Sequence, residues 1–173
     1  MPLVVTLCTG NAARSVIAGA LLADTPGLQV QTRGTFVIEG LAMSGRTSDA
    51  IAGLGASAHG HRSRQVTASD LADADLVLAM AGEHVEYVRK RHPDVAARTG
   101  TLRRLARDLP LGSGTLVERV AALELATVAL EPWEDVVDPA GGDAEVFHRC
   151  AADIRDLLTP LVPLLTTPIQ EPA

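Results

Sequence analysis

Two reactive side chains stand six residues apart near the start of the chain. Cys8 closes the apolar run LVVTLC, and Arg14 follows after the stretch TGNAA. A cysteine beside free backbone N–H groups, a helix N-terminus and a guanidinium ionises readily, and its thiolate is a nucleophile at neutral pH. An arginine can hold two oxygens of one phosphate. The spacing therefore brings a nucleophile and an anion clamp to the same phosphorus atom.

The residues around this pair predict a strand, a loop and a helix start. LVVTL (3–7) has the length of a buried parallel strand, and apolar residues recur at helical spacing from Arg14 onward. Backbone N–H groups in such a loop are free to point inward and cradle an anion. The loop lacks the second Gly and the Lys of the pattern GxxxxGK[ST], so it does not match a nucleotide-binding loop.

Strands alternate with helices along the rest of the chain. We predict strands over 28–32, 75–80 and 100–105, helices over 49–54, 67–74 and 82–92, an added helix over 115–130 and a final helix over 144–158. This alternation predicts one α/β domain over residues 1–158 with a mainly parallel sheet. Roughly residues 106–131 form a helical insertion before an Asp-Pro loop. Four prolines follow within 159–173, where we expect a frayed tail.

Composition restricts the classes of partner. Of 173 residues, 47% are hydrophobic but only 2% aromatic, and the formal net charge is -6. Few rings are available for base stacking, and the acidic balance opposes general binding to nucleic acid or to an anionic membrane. No stretch reaches the ~18 apolar residues of a membrane helix, and no secretory leader is recognisable. Cys8 and Cys150 form no disulfide framework, which indicates reduced thiols and a cytoplasmic location.

Four sequence blocks carry a family resemblance. The motif C-x-G-N-x-x-R-S, from Cys8 to Ser15, resembles the opening motif of the low-molecular-weight protein tyrosine phosphatases, close to C-x-G-N-x-C-R-S-P. HRSRQVT (61–67), DADLVLAM (73–80) and DPAGGDAEVFHRCAADI (138–154) resemble that family's later blocks in the expected order. The resemblance implies a four-stranded parallel sheet of flavodoxin-like order, flanked by helices. It also implies a phosphate monoester hydrolase that forms a cysteinyl-phosphate and needs no cofactor.

The resemblance implies roles for individual residues. Cys8 matches the nucleophile, Arg14 the phosphate clamp and Asp138 the general acid. The phosphate-binding loop corresponds to Thr9, Gly10, Asn11, Ala12, Ala13, Arg14 and Ser15. The residues that brace this loop correspond to Asn11, Ser15, Thr32 and His61, with the Ser15 hydroxyl stabilising the thiolate.

Two of these assignments have alternatives in the residues themselves. Asp-Pro is also common in simple turns, and Asp135 and Asp143 are the nearest other candidates for the acid. His59 and His61 have the spacing of a metal-binding pair, but no third ligand is evident. We therefore expect no metal, and a bracing role for His61.

The sequence alone does not identify the substrate. Ala140 and Gly141 follow the Asp-Pro pair where aromatic residues often wall the phosphotyrosine pocket, and Ala13 replaces the second loop cysteine of the family. The expected partner is a phosphotyrosine protein or a small phosphoester. Two other functions remain: a thiol-coupled arsenate reductase, for which only Cys150 could relay electrons, and a non-catalytic module that binds a phosphorylated ligand.

Overall fold

A computed structural model describes residues 1–166 of the 173. Its strands are β1 (Leu3–Cys8), β2 (Gln29–Gly34), β3 (Leu76–Ala79) and β4 (Thr99–Thr101). Its α-helices are α1 (Arg14–Leu22), α2 (Gly45–Ala52), α3 (Ala68–Ala72), α4 (Gly82–Arg91), α5 (Leu102–Asp108), α6 (Leu116–Ala121) and α7 (Ala144–Thr166). Short 3-10 helices cover Pro93–Arg98 and Pro132–Glu134.

The four strands form one parallel sheet in the order β2-β1-β3-β4, which confirms the predicted architecture. The register pairs Val5 of β1 with Gln31 of β2 and with Val77 of β3. The strand order reverses at β1, and in open parallel sheets ligands bind beyond the carboxyl ends of the strands at such a point. The end of β1 is Cys8.

Helices cover both faces of the sheet, so β1 is buried on both sides. Val4 and Cys8 belong to the larger apolar core, which includes residues of α1 and α7. Val5 and Leu7 point to the opposite face and pack in a smaller core. Side chains of a strand alternate between faces, and a strand covered twice is apolar at nearly every position. The near-continuous apolar run of β1 follows from this burial.

Two predicted elements are shorter than expected. β4 covers only three residues, because the Thr101 hydroxyl accepts a hydrogen bond from Arg104 N and starts α5. The predicted helix over 115–130 is wrong beyond Ala121, and Glu124 has a left-handed φ of 51°. Arg89 donates to the carbonyl oxygens of Leu125 and Val128, at 2.6 and 2.7 Å. Tertiary hydrogen bonds therefore override the helical periodicity of this segment.

The frayed tail predicted from Thr159 is also wrong up to Thr166, because α7 continues to that residue despite Pro160 and Pro163. Each internal proline costs about 3 kcal/mol. Burial of a leucine contributes about 1.5–3 kcal/mol, and this end of the helix buries Leu158, Leu161, Leu164 and Leu165. Residues 167–173 of the predicted tail lie outside the described part of the chain. Within residues 1–166, no helix is long and apolar enough to cross a membrane.

A buried ion pair fixes the segment that leads to Asp138. The Glu134 side chain is fully buried and accepts hydrogen bonds from the Arg104 guanidinium, from Thr101 Oγ1 and from Glu131 N. Burial disfavours the carboxylate, but the hydrogen bonds from Arg104 and Thr101 outweigh it and hold the pKa of Glu134 below its usual value. The carboxylate therefore stabilises the fold above pH ~4.5 and loses this contribution as the pH falls through its lowered pKa.

Replacing Arg104 by methionine is expected to lower the free energy of unfolding by about 3–5 kcal/mol at neutral pH, because it leaves a buried carboxylate without its cation. An unpaired buried carboxyl has a raised pKa, so the folded state then binds a proton more readily than the unfolded state. The loss should therefore shrink as the pH falls toward ~5. Urea unfolding at several pH values measures it.

Arg107→Met is the matched control. Arg107 pairs with Asp108 and lies over the Trp133 ring, but 56% of its side chain is exposed. Exposed contacts of this kind contribute at most about 1 kcal/mol. Equal destabilisation by the two substitutions, or a loss for Arg104→Met that does not change with pH, would contradict the importance of the buried pair.

Candidate active site

The loop between β1 and α1 presents free backbone donors. β1 ends at Cys8 and α1 begins at Arg14, with Ala13 at the N-cap position. No side chain caps this helix start. The first N–H groups of a helix have no partner within the helix and attract an anion. The loop therefore has the donors that a phosphate group requires.

A directed chain of hydrogen bonds reaches the Cys8 sulfur. Arg64 N donates to Asn11 Oδ1 at 2.9 Å, which turns the amide Nδ2 toward Ser15 Oγ at 3.0 Å. Since Ser15 Oγ accepts from Asn11, its own proton is free to point at Cys8 Sγ, 3.0 Å away. A hydroxyl that donates to sulfur stabilises the thiolate over the thiol. The role expected for Ser15 stays a prediction, which this geometry supports.

Asn11 holds the loop in its shape. It is fully buried and adopts a φ of 50°, a left-handed conformation that Asn tolerates better than most residues. Its carbonyl oxygen accepts hydrogen bonds from His61 Nε2 and from Ser63 Oγ, both at 2.8 Å. His61 thus lies where the sequence predicts, and its ring donates through Nε2. Ser63 was missed, although it lies within the block HRSRQVT.

Thr32 does not reach the loop, which corrects the expected bracing role. It lies in β2 with its methyl group packed against Gly19, where an added Cβ would come within 2.3 Å. Thr47 takes such a role instead, because its hydroxyl donates to Ala12 O at 3.0 Å. Thr47 belongs to α2, and no sequence motif marked it.

Gly34, at the end of β2, is a second residue that sequence reasoning missed. A Cβ at this position would lie 2.5 Å from the Thr9 carbonyl oxygen and 2.9 Å from Asn11 N. Only glycine lets the β2 backbone come this close to the loop. The neighbouring Thr35 N donates to Cys8 O at 2.9 Å. β2 therefore supports the loop through its backbone, which leaves no chemical signature in the sequence.

Arg14 and Asp138 meet across 124 positions of sequence. Arg14 Nη2 donates to Asp138 Oδ2 at 2.7 Å, and Nη1 donates to Val136 O at 3.2 Å. A guanidinium has five N–H donors, so three remain for an anion. The Arg14 side chain is 5% exposed and that of Asp138 is 49% exposed. The predicted clamp is thus buried, and the predicted acid lies beside it, open to solvent.

The two other candidate acids serve elsewhere. Asp135 Oδ1 accepts a hydrogen bond from Gly82 N at 2.8 Å and so holds the start of α4. Asp143 Oδ1 accepts from Val146 N at 3.1 Å at the start of α7. Of the three carboxylates, Asp138 is the one that pairs with Arg14 within residues 1–166.

His84 is a further residue that the sequence did not single out. It lies in α4, is 1% exposed, and its Nε2 is 2.9 Å from Thr9 Oγ1. Burial, and then the positive charge of Arg14, lower the pKa of His84 to about 3. The imidazole is therefore neutral near pH 7. Histidine is a residue type that can take part in catalysis. Its position inside a predicted helix, however, gave no reason to connect it with the loop.

His59 and His61 are the pair whose spacing could suit a metal. Residues 1–166 contain no group of three His, Cys, Asp or Glu side chains that could hold a metal ion. His59 and His61 lie together on the wall of an open cavity of about 300 Å³ beside α1, which Thr32 also lines. With His61 engaged at Asn11, this pair gives no support to a metal site.

Fold and loop together define a class of protein. A parallel α/β sheet carries, at the carboxyl end of a central strand, a phosphate-type loop with a cysteine at its base and an arginine at the following helix start. This is the arrangement of a cysteine-dependent phosphatase.

Comparisons with known proteins agree with this class. Residues 3–110 match the family model described as low molecular weight phosphotyrosine protein phosphatase. A protein-arginine-phosphatase from Geobacillus stearothermophilus is 30% identical over 93% of this chain and 94% of its own length. The low molecular weight protein-tyrosine-phosphatase Etp from Escherichia coli K12 is 34% identical over 56% of this chain and 66% of its own.

Solved structures extend the similarity to nearly the whole chain. The YwlE arginine phosphatase from G. stearothermophilus superposes with a TM-score of 0.78 at 28% identity, covering 96% of this chain and 94% of that one. A low molecular weight protein tyrosine phosphatase from T. tengcongensis gives 0.74 at 25% identity over 94% and 98%. The chain therefore belongs to the low molecular weight phosphotyrosine protein phosphatase family and is a phosphatase of that type.

Ser15→Ala is expected to slow alkylation of Cys8 by iodoacetamide at neutral pH by roughly tenfold, the equivalent of one lost hydrogen bond to the thiolate. The reaction rate, followed by mass spectrometry, reports the ionised fraction of the sulfur. A Cys150→Ser background removes the only other thiol.

Thr47→Val in the same background serves as the control. Thr47 contacts the loop at Ala12 O but is not hydrogen-bonded to the Cys8 sulfur, so the alkylation rate should change by less than about twofold. A Ser15→Ala variant that reacts as fast as the Thr47→Val variant would contradict the proton direction inferred for Ser15.

Proposed function

We propose that this phosphatase removes phosphoryl groups from protein side chains, with Cys8 as nucleophile, Arg14 as clamp and Asp138 as general acid. The observation that carries the proposal is the contact between Arg14 and Asp138 at the mouth of the loop, at 2.7 Å. It keeps a carboxyl group beside the residue that would hold the phosphate. Such a carboxyl can reach the leaving atom of the substrate.

In the first step, the Cys8 thiolate attacks phosphorus and the bond to the leaving group breaks. The backbone N–H groups of Thr9 to Ser15 and the free donors of Arg14 hold the equatorial oxygens of the phosphoryl group. A phosphate dianion next to Asp138 favours the protonated carboxyl, which then gives its proton to the leaving atom. The products are a cysteinyl-phosphate and the dephosphorylated side chain.

In the second step, a water molecule attacks the cysteinyl-phosphate. The Asp138 carboxylate takes a proton from this water as its oxygen bonds to phosphorus, and the thiolate of Cys8 leaves. The hydrogen bond from Ser15 Oγ stabilises the departing sulfur anion. Phosphate is released, and Asp138 is again protonated for the next turnover.

For the substrate, we propose phosphoarginine in proteins. Two acidic side chains flank the loop: Asp138 beside Arg14, which is protonated in the first step, and Glu83, a carboxylate whose Oε1 is 3.2 Å from Thr9 Oγ1. Both side chains are about half exposed or more, at 49% and 68%. A guanidino group offers planar N–H donors that pair well with carboxylates. The G. stearothermophilus relative, similar over 93% of this chain, is a protein-arginine-phosphatase, which supports this choice.

Phosphotyrosine is the second candidate substrate, and one residue favours it. The Phe36 ring is 83% exposed, and Phe36 N donates to Thr9 O at 3.0 Å, so an aromatic residue lies beside the loop after all. The segment 139–142 after Asp138 offers no ring, in contrast, because its sequence is PAGG. One exposed ring is a weaker wall for a phenyl group than two facing rings.

The remaining functions have less support. Burial raises the pKa of Cys150 to about 12, so this thiol is unsuited to relay electrons in an arsenate reductase. A binding module without turnover would have no need of a carboxyl group paired with Arg14. We place the activity in the cytoplasm, where a catalytic thiol stays reduced.

Paired peptides with identical flanking sequences, carrying either phosphoarginine or phosphotyrosine, test the choice between the two substrates. We expect kcat/KM to favour phosphoarginine by at least ~10-fold, since hydrogen bonds between charged groups contribute about 1.5–3 kcal/mol. Glu83→Gln keeps an acceptor for Thr9 but removes the charge. It should lower kcat/KM for the phosphoarginine peptide and leave that for the phosphotyrosine peptide unchanged. The opposite preference would identify a tyrosine phosphatase.

Asp138→Asn is expected to slow aryl phosphates with poor leaving groups by ~100 to 10,000-fold, the usual loss when general acid catalysis is removed. Para-nitrophenyl phosphate should lose less, because nitrophenolate departs with little help. Initial rates for a series of aryl phosphates measure how steeply the rate depends on the pKa of the leaving group.

Asp135→Asn and Asp143→Asn are matched controls, since asparagine keeps the acceptor that each aspartate offers to a backbone N–H. Both should retain the wild-type dependence on the leaving group. If a control variant shows the steep dependence and Asp138→Asn does not, the acid is not Asp138.

A further inference from the structure

A three-member hydrogen-bond chain joins α4 to the phosphate loop. His84 Nε2 is 2.9 Å from Thr9 Oγ1 and 3.3 Å from Glu83 Oε1. The Thr9 hydroxyl in turn donates to Glu83 Oε1 at 3.2 Å. Thr9 directly follows Cys8, so this chain acts on the first residue of the loop.

The geometry selects one tautomer of His84. If Nε2 carries the proton, it donates to Thr9 Oγ1 and faces the Glu83 carboxylate favourably, and the Thr9 proton remains free for Glu83. If Nε2 were bare, its lone pair would face a carboxylate oxygen at 3.3 Å, and Thr9 could not donate to both groups. The proton therefore lies on Nε2. Nδ1 is then a bare acceptor, buried and without a partner among residues 1–166.

The charge state of His84 excludes proton transfer near neutral pH. Its charged surroundings are Glu83 on α4 and Arg14 on α1, and the imidazole is 1% exposed. Its lowered pKa of about 3 keeps the ring neutral near pH 7. A fixed neutral donor orients a neighbour and does not exchange protons.

We propose that His84 is a positioning residue that orients the start of the phosphate loop through the hydroxyl of Thr9. Thr9 O is fixed on one side by Phe36 N, and His84 fixes the side chain on the other. The next residue is Gly10, which has no side chain to hold the backbone. Small displacements of a binding loop are costly for catalysis because its donors must meet the transition state. The inference rests on the proposed role of the loop in phosphate binding, whichever phosphorylated side chain is the substrate.

Substitutions separate positioning from simple support of the fold. His84→Ala should reduce kcat/KM for para-nitrophenyl phosphate and weaken vanadate inhibition, each by about 10-fold or more, the equivalent of one lost hydrogen bond. His84→Gln, whose amide nitrogen can occupy the place of Nε2, should recover most of both. His92→Gln is the control, since His92 contacts the Tyr87 ring and should behave as wild type.

A double-mutant cycle tests whether His84 acts through Thr9. Thr9→Val should reproduce the loss seen in His84→Ala, and the double variant should be no worse than either single one. Additive losses would overturn the proposal, as would a His84→Ala variant with wild-type vanadate inhibition.

Nitrogen-15 NMR of the wild-type imidazole gives a readout that needs no substitution and no substrate. We expect His84 to carry its proton on Nε2 and to stay neutral down to about pH 4. A proton on Nδ1 would overturn the inference even if the alanine variant did not fold. Because vanadate binding and the tautomer do not depend on the natural substrate, failure of the phosphoarginine proposal would leave these results unchanged.

Discussion

Asn11 is the residue on which the rest of the site depends. Its left-handed backbone turns the loop, and its carbonyl oxygen accepts two side-chain donors from the segment after α2. Arg64 N donates to the side-chain amide of Asn11 and so orients it. The amide nitrogen then donates to Ser15 Oγ, which lies against the Cys8 sulfur. Without this anchor, the loop carbonyls would be free to turn inward and repel a phosphate. The buried side chain of Asn11 therefore links the shape of the loop to the hydrogen bond between Ser15 and the Cys8 sulfur.

The site joins parts of the chain that lie far apart in sequence because β1 is central in a parallel sheet. The strand ends gather at one edge, so the end of β2, the segment at Ser63 and the start of α4 all contact the same short loop. Asp138 joins them from near the other end of the chain through Arg14. The position of each group is thereby set by packing of the sheet and its helices, and a loop of few residues gains a rigid shape.

Two arginines hold the irregular segment after α6 against the rest of the fold. The segment after α6 is irregular, so its carbonyl groups need hydrogen-bond donors from other parts of the chain. Arg89 and Arg104 supply them, at Leu125, Val128 and Ala129. Arg104 also pairs with buried Glu134, four residues before Asp138. This network holds the segment that leads to Asp138 against α5.

The sequence by itself determined the alternating α/β order, the parallel sheet, and the loop from Cys8 to Ser15, because periodicity and local motifs act over neighbouring residues. It also indicated His61 and Asp138, through blocks that resemble the family. Only the tertiary structure brought His84, Thr47 and Gly34 into contact with the loop, since these contacts carry no local signal in the sequence. The same reason explains two errors among the predicted helices: the helix over 115–130 ended early, and α7 continued to Thr166 where a frayed tail was predicted. In both segments, long-range hydrogen bonds or buried leucines outweighed local preference.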